Sequence, residues 1–517
     1  MEDQIETLSK RLERESFDAL LSDYSKKSII LFKAELYKRY GLHNPRKTFK
    51  YTDLKRNFSE FISEYPVVLS TTHSLRNCIV ENYLFDYVII DEASQVDLVT
   101  GSLALSCARK AVIVGDLKQL PNVISTDVKL KAQSIFNEFN LQEEYNYNKH
   151  SILSSFTNLF NEIPRTLLKE HYRCHPQIIG FCNQKFYNNE LVILTEEAPE
   201  DKPLLIYTTV EGNHARRITS GEKHSVYNER QIDVIFKEVL IRKDINNGKD
   251  TIGIVSPYRL QAEKLRNSLG SETSIEADTV HKYQGREKDI IILTTVANDI
   301  NSFVDDPNLI NVAVSRAVKK IAIIVSKNIG KQYGTNIGDL IRYVEYHTRS
   351  GEIVGSNIYS VFDMLYSDYS DKLNSIFKNV KHVSKFKSEN LLNTVIERVL
   401  EAPQYDFCKH AMHIPLKFLI KDCNLLTEEE SAYAMNILTH IDFVIFNKLN
   451  KIPVLAIEVD GIAFHENSPE QLERDKMKDI ISRKYNIPLL RIKTNESGEE
   501  EKLKEKLDEI MGGLNHE

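Results

Sequence analysis

Two textures of hydrophobicity alternate along this chain. Short, nearly unbroken apolar runs end in polar turn residues: VVLS (67–70), YVIIDEA (87–93), AVIVGD (111–116), PLLIYTT (203–209), TIGIVSP (251–257), DIIILTT (289–295) and KIAIIVS (320–326). A strand with one wet face alternates apolar and polar, so runs apolar throughout predict strands buried on both faces of a parallel sheet. Segments with helical spacing lie between them. The alternation predicts doubly wound α/β layers with ligands at the carboxyl ends of the strands.

The same patterning divides the chain. Residues 1–62 read as a solvated helical arm, with Leu8, Leu12, Ile29, Ile30, Phe32, Leu36 and Tyr37 at helical spacing amid dense mixed charge. Residues 63–150 form a first, incomplete α/β lobe, 151–345 a second and 346–386 a helical connector. Residues 387–517 form a different α/β unit: a helix from Glu389 to Glu401, strands HIDFVIF and PVLAIEVDG, a charged helix from Pro469 to Tyr485 and a strand PLLRIKT. Glu499–Glu509 reads as a solvated charged helix.

Composition narrows the class. With 42% hydrophobic and 27% charged residues the chain is globular, and a net charge of −7 leaves any polyanion site to a local cluster. Six cysteines without a CxxC pair fit reduced thiols. The longest apolar runs, such as Ile321–Val325, fall far short of the roughly 18 residues of a membrane span, and MEDQIETLSK has no signal-peptide character. A cytoplasmic protein without a membrane partner is expected. With no Trp, base stacking would fall to 24 Tyr and 22 Phe.

Asp91 and Glu92 end the run YVIID, where a strand projects side chains into a ligand crevice. Adjacent acids there suit phosphoryl transfer, one organising Mg²⁺ and the other orienting water; Gln119, after Gly115-Asp116, would touch a γ-phosphate. DEASQ (91–95), GDLKQLP (115–121), HYRCHPQI (171–178), TVHKYQGREKDIII (279–292) and NVAVSRA (311–317) resemble motifs II to VI of superfamily 1 helicases, in the branch that includes the nonsense-mediated-decay helicase. The resemblance implies two RecA-like lobes, ATP and Mg²⁺ as cofactors, and DNA or RNA as partner. It assigns Asp91 to Mg²⁺, Glu92 to the attacking water, and Arg173 and Arg316 to arginine fingers. Gln284, Gly285 and Glu287 would line the cleft, Glu287 near the ribose and Gln284 near the γ-phosphate or the strand. Ser70, Thr71 and Thr72 would hydrogen-bond the nucleic-acid backbone, and Tyr258 is either a strand contact or a core tyrosine.

The family's phosphate-cradling loop, GxxxxGK followed by Ser or Thr, does not occur: Gly-Lys appears only at 248–249 and 330–331, followed by Asp and Gln. Loss of the strand that delivers it would leave apolar edges such as VVLS and YVIID open. A co-encoded polypeptide supplying the loop in trans, truncation, or an ATPase-inactive nucleic-acid-binding remnant would each explain this.

The last unit carries carboxylates at strand ends. Alternation along IEVD puts Glu458 and Asp460 on one face, where they repel unless a cation lies between them; Asp442 ends the approach in HIDFVIF. AIEVDG-x₃-H, LERDKMKDIISRKYNIP and LLRI resemble the very-short-patch-repair branch of the PD-(D/E)xK nucleases. By that resemblance Glu389, or Glu397 two turns on, is a further acid, Asp442 and Glu458 hold Mg²⁺, and His465 acts on water or leaving group. Asp460 stands where the family has lysine, so the basic role falls to Lys478 or His465. Ion pairs from Glu458 and Asp460 to Arg474 or Lys478 in an inert domain are the plain alternative. Cys408, His410, His413 and Cys423 fit no common closed zinc site and read as strand and core residues. A helicase joined to an endonuclease suggests restriction, repair or phage defence by analogy.

Overall fold

The computed structural model describes residues 2–14, 16–41, 46–50, 56–210, 214–220, 223–270, 274–327, 329, 334–347, 353–362, 383–420, 422–436, 438–461 and 469–514. They form two compact units, Met1–Asp116 with Pro121–Glu162 and Leu117–Leu120 with Ile163–Glu517.

In the first unit, helices α1 (Glu2–Arg14) and α2 (Phe17–Tyr40) make the arm, and no residue of α2 is buried. Two parallel strands follow, β1 (Phe85–Ile90) and β2 (Ala108–Ile113), with Val88 opposite Ala111 and Ile90 opposite Ile113. They are joined through α3 (Leu98–Leu105), whose first turn is capped by the Asp97 carboxylate accepting from the N–H groups of Val99 and Thr100 at 3.0 Å. Val88 and Ile90 pack with Leu75, Ile79, Ala104, Ile152 and Leu153. The opposite face is bare: Tyr87, Val112 and Ile89 are exposed, Ile89 at 68%.

VVLS is not a strand. Residues 65–71 join no ladder and Leu69 is 93% exposed. An apolar run becomes a strand only where a neighbouring backbone accepts its hydrogen bonds, and among the described residues none lies beside it. The unit also runs past 150 to Glu162, because α4 (Ile152–Leu159) packs here; a Cβ on Gly101 would meet Ile152 Cδ1 at 2.8 Å.

The second unit holds a six-stranded sheet in which every pairing is parallel. Its strands are β3 (Leu204–Thr208), β4 (Ile252–Ser256), β5 (Glu276–Thr279), β6 (Lys288–Thr294), β7 (Ala317–Val325) and β8 (Ile353–Gly355), in the order β8-β3-β7-β6-β4-β5. Alternate residues feed two cores: Ile206, Ile291, Leu293, Ile321 and Ile323 on one face, Leu205, Ile254, Ile292, Ala322 and Ile324 on the other. Helix α5 (Pro307–Ser315) covers the first face. Strand β8 falls in the expected helical connector, where IVG takes the open edge of β3; residues 348–352 and 363–382 lie outside the described residues.

The same unit continues into a four-stranded sheet, β9 (Cys408–Pro415), β10 (His440–Asn447), β11 (Pro453–Asp460) and β12 (Leu489–Lys493), antiparallel except for the parallel pair β11–β12. Helix α6 (Lys387–Leu400) buries Leu392, Val395, Ile396 and Val399, one helical stripe, against Phe443 and Ile457. Ile481 of α7 (Pro469–Lys484) packs on Val444 and Ala456. Helix α8 (Glu499–Leu514) is not merely solvated, since Leu503 and Leu507 are fully buried.

Candidate functional site

In the first unit the chain leaves β1 tied to the end of β2: the Val114 N–H donates to the Ile90 carbonyl and the Ala93 N–H to the Val114 carbonyl, both at 2.8 Å. Asp91 accepts from the Glu92 N–H at 2.9 Å, and Glu92, in a left-handed conformation (φ 50°), accepts from Gln95 Nε2 at 3.2 Å. Both acids therefore stand at the strand's carboxyl end. Gly115 permits that turn, because a Cβ there would lie 3.0 Å from Ala93 N and from Leu153 Cδ2. Asp116 beside it is half-buried. Ser70 and Thr71 are exposed without a preceding strand; the Thr71 hydroxyl caps a helical turn by accepting from the Ser74 N–H at 3.3 Å, and Thr72 is half-buried in that turn.

In the second unit Arg173 and Arg316 converge on His171. Burial, reinforced by both guanidinium groups, pushes the imidazole below its ordinary pKa, and its Nε2 accepts from the Cys174 N–H at 2.8 Å. The Cys174 thiol is pushed up to about 12 by burial despite those charges and lies 3.4 Å from the Ser315 carbonyl. Arg316 is buried, while Arg173 is half-exposed and ion-paired with Glu287, the residue expected near the ribose. Gln284 leads into Gly285, whose φ of 78° suits glycine. The segment carrying Gln119 is held in this unit: Asn311 Nδ2 of α5 donates to the Lys118 carbonyl at 2.8 Å, and Leu120 is in the core. Tyr258 packs on Phe303 with centroids 5.1 Å apart, and its hydroxyl accepts from Asn301 Nδ2 at 3.2 Å.

The terminal sheet lines up a third group by register. Met412 faces Phe443 and Ile414 faces Ile441, which sets His413 across from Asp442; Phe443 faces Ile457, which sets Asp442 across from Glu458; Glu458 faces Arg491. His413, Asp442, Glu458 and Arg491 thus form one row over four strands. Asp442 accepts from the Val459 N–H at 2.8 Å. Glu458 is 5% exposed, and burial together with the Asp442 charge raises its pKa to about 7, against the pull of Lys478, 2.7 Å away on α7. Its second oxygen, Oε1, is buried without a hydrogen-bond partner among the described residues. Two carboxylates, one of them with an oxygen lacking a partner among the described residues, are donors of the kind a hard divalent cation takes.

Glu389, rather than Glu397, joins this group. It is buried, accepts from the Ser384 hydroxyl and lies 3.1 Å from His413 Nε2; burial and Asp442 raise its pKa. Asp460 is matched not by Arg474 but by Arg491, 2.9 Å away. His465 lies outside the described residues. Cys408 is a buried strand residue and His410 is bonded to Asn393 at 2.8 Å, so His413 leaves that quartet for the carboxylates. His440 and Arg491 escaped the sequence reading, although the i, i+2 spacing of His440 and Asp442 was the available signal.

Residues 5–127 and 149–328 match two families each described as an AAA domain, and residues 387–510 match one described as "Protein of unknown function (DUF2726)". An uncharacterized ATP-dependent helicase of Methanocaldococcus jannaschii is 26% identical over 53% of this chain and 41% of its own length. The DNA replication ATP-dependent helicase/nuclease dna2 of Schizosaccharomyces pombe is 26% identical over 68% of the chain and 26% of its own, and the probable helicase senataxin of Homo sapiens 29% over 46% and 9%. The chain spans less than half the length of each of these relatives. Among solved structures, an arterivirus nonstructural protein 10 helicase in complex with DNA aligns at a TM-score of 0.25, with 12% identity over 49% of this chain and 41% of that one. The chain carries AAA domains homologous to those of superfamily 1 helicases of the Dna2 and senataxin kind.

Proposed function

We propose that this chain is an ATP-driven nucleic-acid helicase or translocase coupled to a Mg²⁺-dependent nuclease, with its phosphate loop supplied by a polypeptide segment outside this sequence. The observation that carries the nuclease half is the buried Glu458 oxygen, without a partner among the described residues, across from Asp442. Asp442 and Glu458 would hold the ion, which supplies Lewis acidity at a phosphodiester when bound. Lys478 tempers the carboxylate charge, and Glu389 orients His413. Helicase homology supports the motor half, in which Asp91 and Glu92 serve Mg²⁺ and water, Gln119 senses the γ-phosphate, and Arg316 and Arg173 neutralise phosphate charge, Arg173 after releasing Glu287. Gln284, Gly285 and Glu287 would line the nucleotide cleft, while Ser70 and Thr72 would contact the strand. The open edges of the two-stranded β1–β2 sheet support an added strand, and its bare face supports a covering layer.

The test uses the purified chain with labelled DNA and RNA, ATP and Mg²⁺. Metal-dependent cleavage should be lost in Asp442→Asn and Glu458→Gln. Nucleic-acid-stimulated ATP hydrolysis should be absent from the chain alone and appear when a polypeptide with a strand and a GxxxxGK-Ser/Thr loop is added. Cleavage without ATP, and no turnover with that polypeptide, would favour the second reading suggested by the missing loop: an ATPase-inactive nucleic-acid-binding module carrying an ATP-independent nuclease. Cleavage unaffected by either variant would remove the nuclease.

A further inference from the structure

Beside the carboxylate pair, the terminal sheet brings together two imidazoles that the nuclease reading does not use as ligands. His440 precedes Asp442 by two residues on β10 and shares its face; His413 stands across from Asp442 on β9. One ligand atom each from His413, His440 and Asp442 lie within 4.8 Å of one another. The two rings are 5.2 Å apart at 68°, and His440 Nε2 is 4.0 Å from Asp442 Oδ1.

His440 Nδ1 lies 3.0 Å from the Leu438 carbonyl and donates to it, so in the neutral ring the lone pair is on Nε2, facing the Asp442 carboxylate. A lone pair and a carboxylate oxygen turned towards each other repel unless a proton or a metal ion lies between them. Glu389 closes the group from α6 with its oxygen 3.1 Å from His413 Nε2, the carboxylate–imidazole contact that commonly orients a metal-binding ring.

We propose that His413, His440 and Asp442 form a site for a first-row divalent transition ion, bound in preference to Mg²⁺. Imidazole nitrogens favour such borderline ions, whereas Mg²⁺ favours oxygen ligands alone. Two histidines and one carboxylate are also the protein ligand count of an open, water-bearing site. Around a tetrahedral ion with bonds of about 2.1 Å, ligand atoms are roughly 3.4 Å apart, so side chains now within 4.8 Å of one another would close in by up to about 1.4 Å, a shift that side-chain rotation can supply. This inference deepens the nuclease reading, because Asp442 serves both sites, but ion binding is measurable without cleavage.

The metal-stripped full chain is titrated with Co²⁺ in excess Mg²⁺, following the cobalt d–d absorption and the heat of binding. Saturable, equimolar binding with a nitrogen-ligand spectrum is expected. His440→Gln should weaken it by about tenfold or more, the double variant His413→Gln/His440→Gln should abolish the absorption, and Glu458→Gln should retain it. Because His440 is half-exposed, its variant should keep the circular dichroism of the parent. Co²⁺ held no more tightly than Mg²⁺, or a spectrum surviving the double variant, overturns the proposal. That failure is distinct from failure of the nuclease reading: Mg²⁺-dependent cleavage lost in Glu458→Gln but without Co²⁺ selectivity sinks only the ion site, and Co²⁺ binding without cleavage under any ion sinks only the nuclease.

Discussion

The two parallel sheets of this chain are built from the same kind of apolar run and end in different states. In the second unit, β6 is sandwiched between β7 and β4, and its successive residues Ile291, Ile292 and Leu293 feed opposite cores. In the first unit, β1 has one neighbour among the described residues; Val88 and Ile90 are buried while Tyr87 and Ile89 face outwards. Composition does not separate YVII from DIII. What separates them is how many neighbours and layers the rest of the chain provides, so an apolar run reports a strand's capacity for burial rather than its burial.

The sharpest way to break this contrast is a charge in each sheet. Ile292→Asp, with the residue wholly buried, should cost at least 4–5 kcal/mol and abolish the cooperative denaturant transition of the second unit. If the loss were under about 1 kcal/mol, the two sheets would not differ as described.

The terminal sheet, with a buried ionisable row, stands between the two cases. The folded-state pKa of Glu458 is about 7, above its ordinary 4.5, so the folded chain holds an extra proton between those values. Stability should therefore fall as pH rises through that window, with the cost fully present above about pH 7. Glu458→Gln should remove the dependence and raise the stability of the metal-free chain by on the order of 3 kcal/mol at pH 8. Below pH 4.5 it should change little. Urea midpoints across pH would check the sign; a variant less stable at pH 8 would reverse it.

Within the first unit, Gly115→Val would force a side chain into the 3.0 Å gap against Ala93 and Leu153. A loss of about 1–3 kcal/mol is expected, read as faster amide exchange through residues 88–96 with exchange in β6 unchanged. Ile89→Lys should be the mildest change, within about 0.5 kcal/mol in the chain alone. The same substitution should, however, weaken binding of any polypeptide that restores ATP hydrolysis. If Ile89→Lys proved as costly as Ile292→Asp, the bare face would be covered by the chain itself.

Much of this architecture was legible because local and global signals agreed. DIIILTT and KIAIIVS became strands where uniform runs met neighbours of the same kind, and α6 kept its stripe of Leu392, Val395, Ile396 and Val399. VVLS failed because strandness is a property of pairs, and IVG at 353–355 was missed because three residues joined an edge that no local pattern announces. At the candidate sites, carboxylates at strand ends could be found from alternation. His413 could not be placed, because its neighbours in space are set by antiparallel register, while in sequence it sits among Cys408 and His410. Arg491 taking the charge of Asp460 depends on the parallel pairing of β11 with β12, which sequence order does not specify.

The row of His413, Asp442, Glu458 and Arg491 makes the alignment of four strands a chemical quantity. A slip of one residue in any of them would turn a member to the opposite side and dismantle the constellation, while leaving backbone pairing nearly intact. An ion gripping two of those strands would act as a clasp that recognises only correctly threaded molecules, favouring them over near-miss folds by its own binding energy.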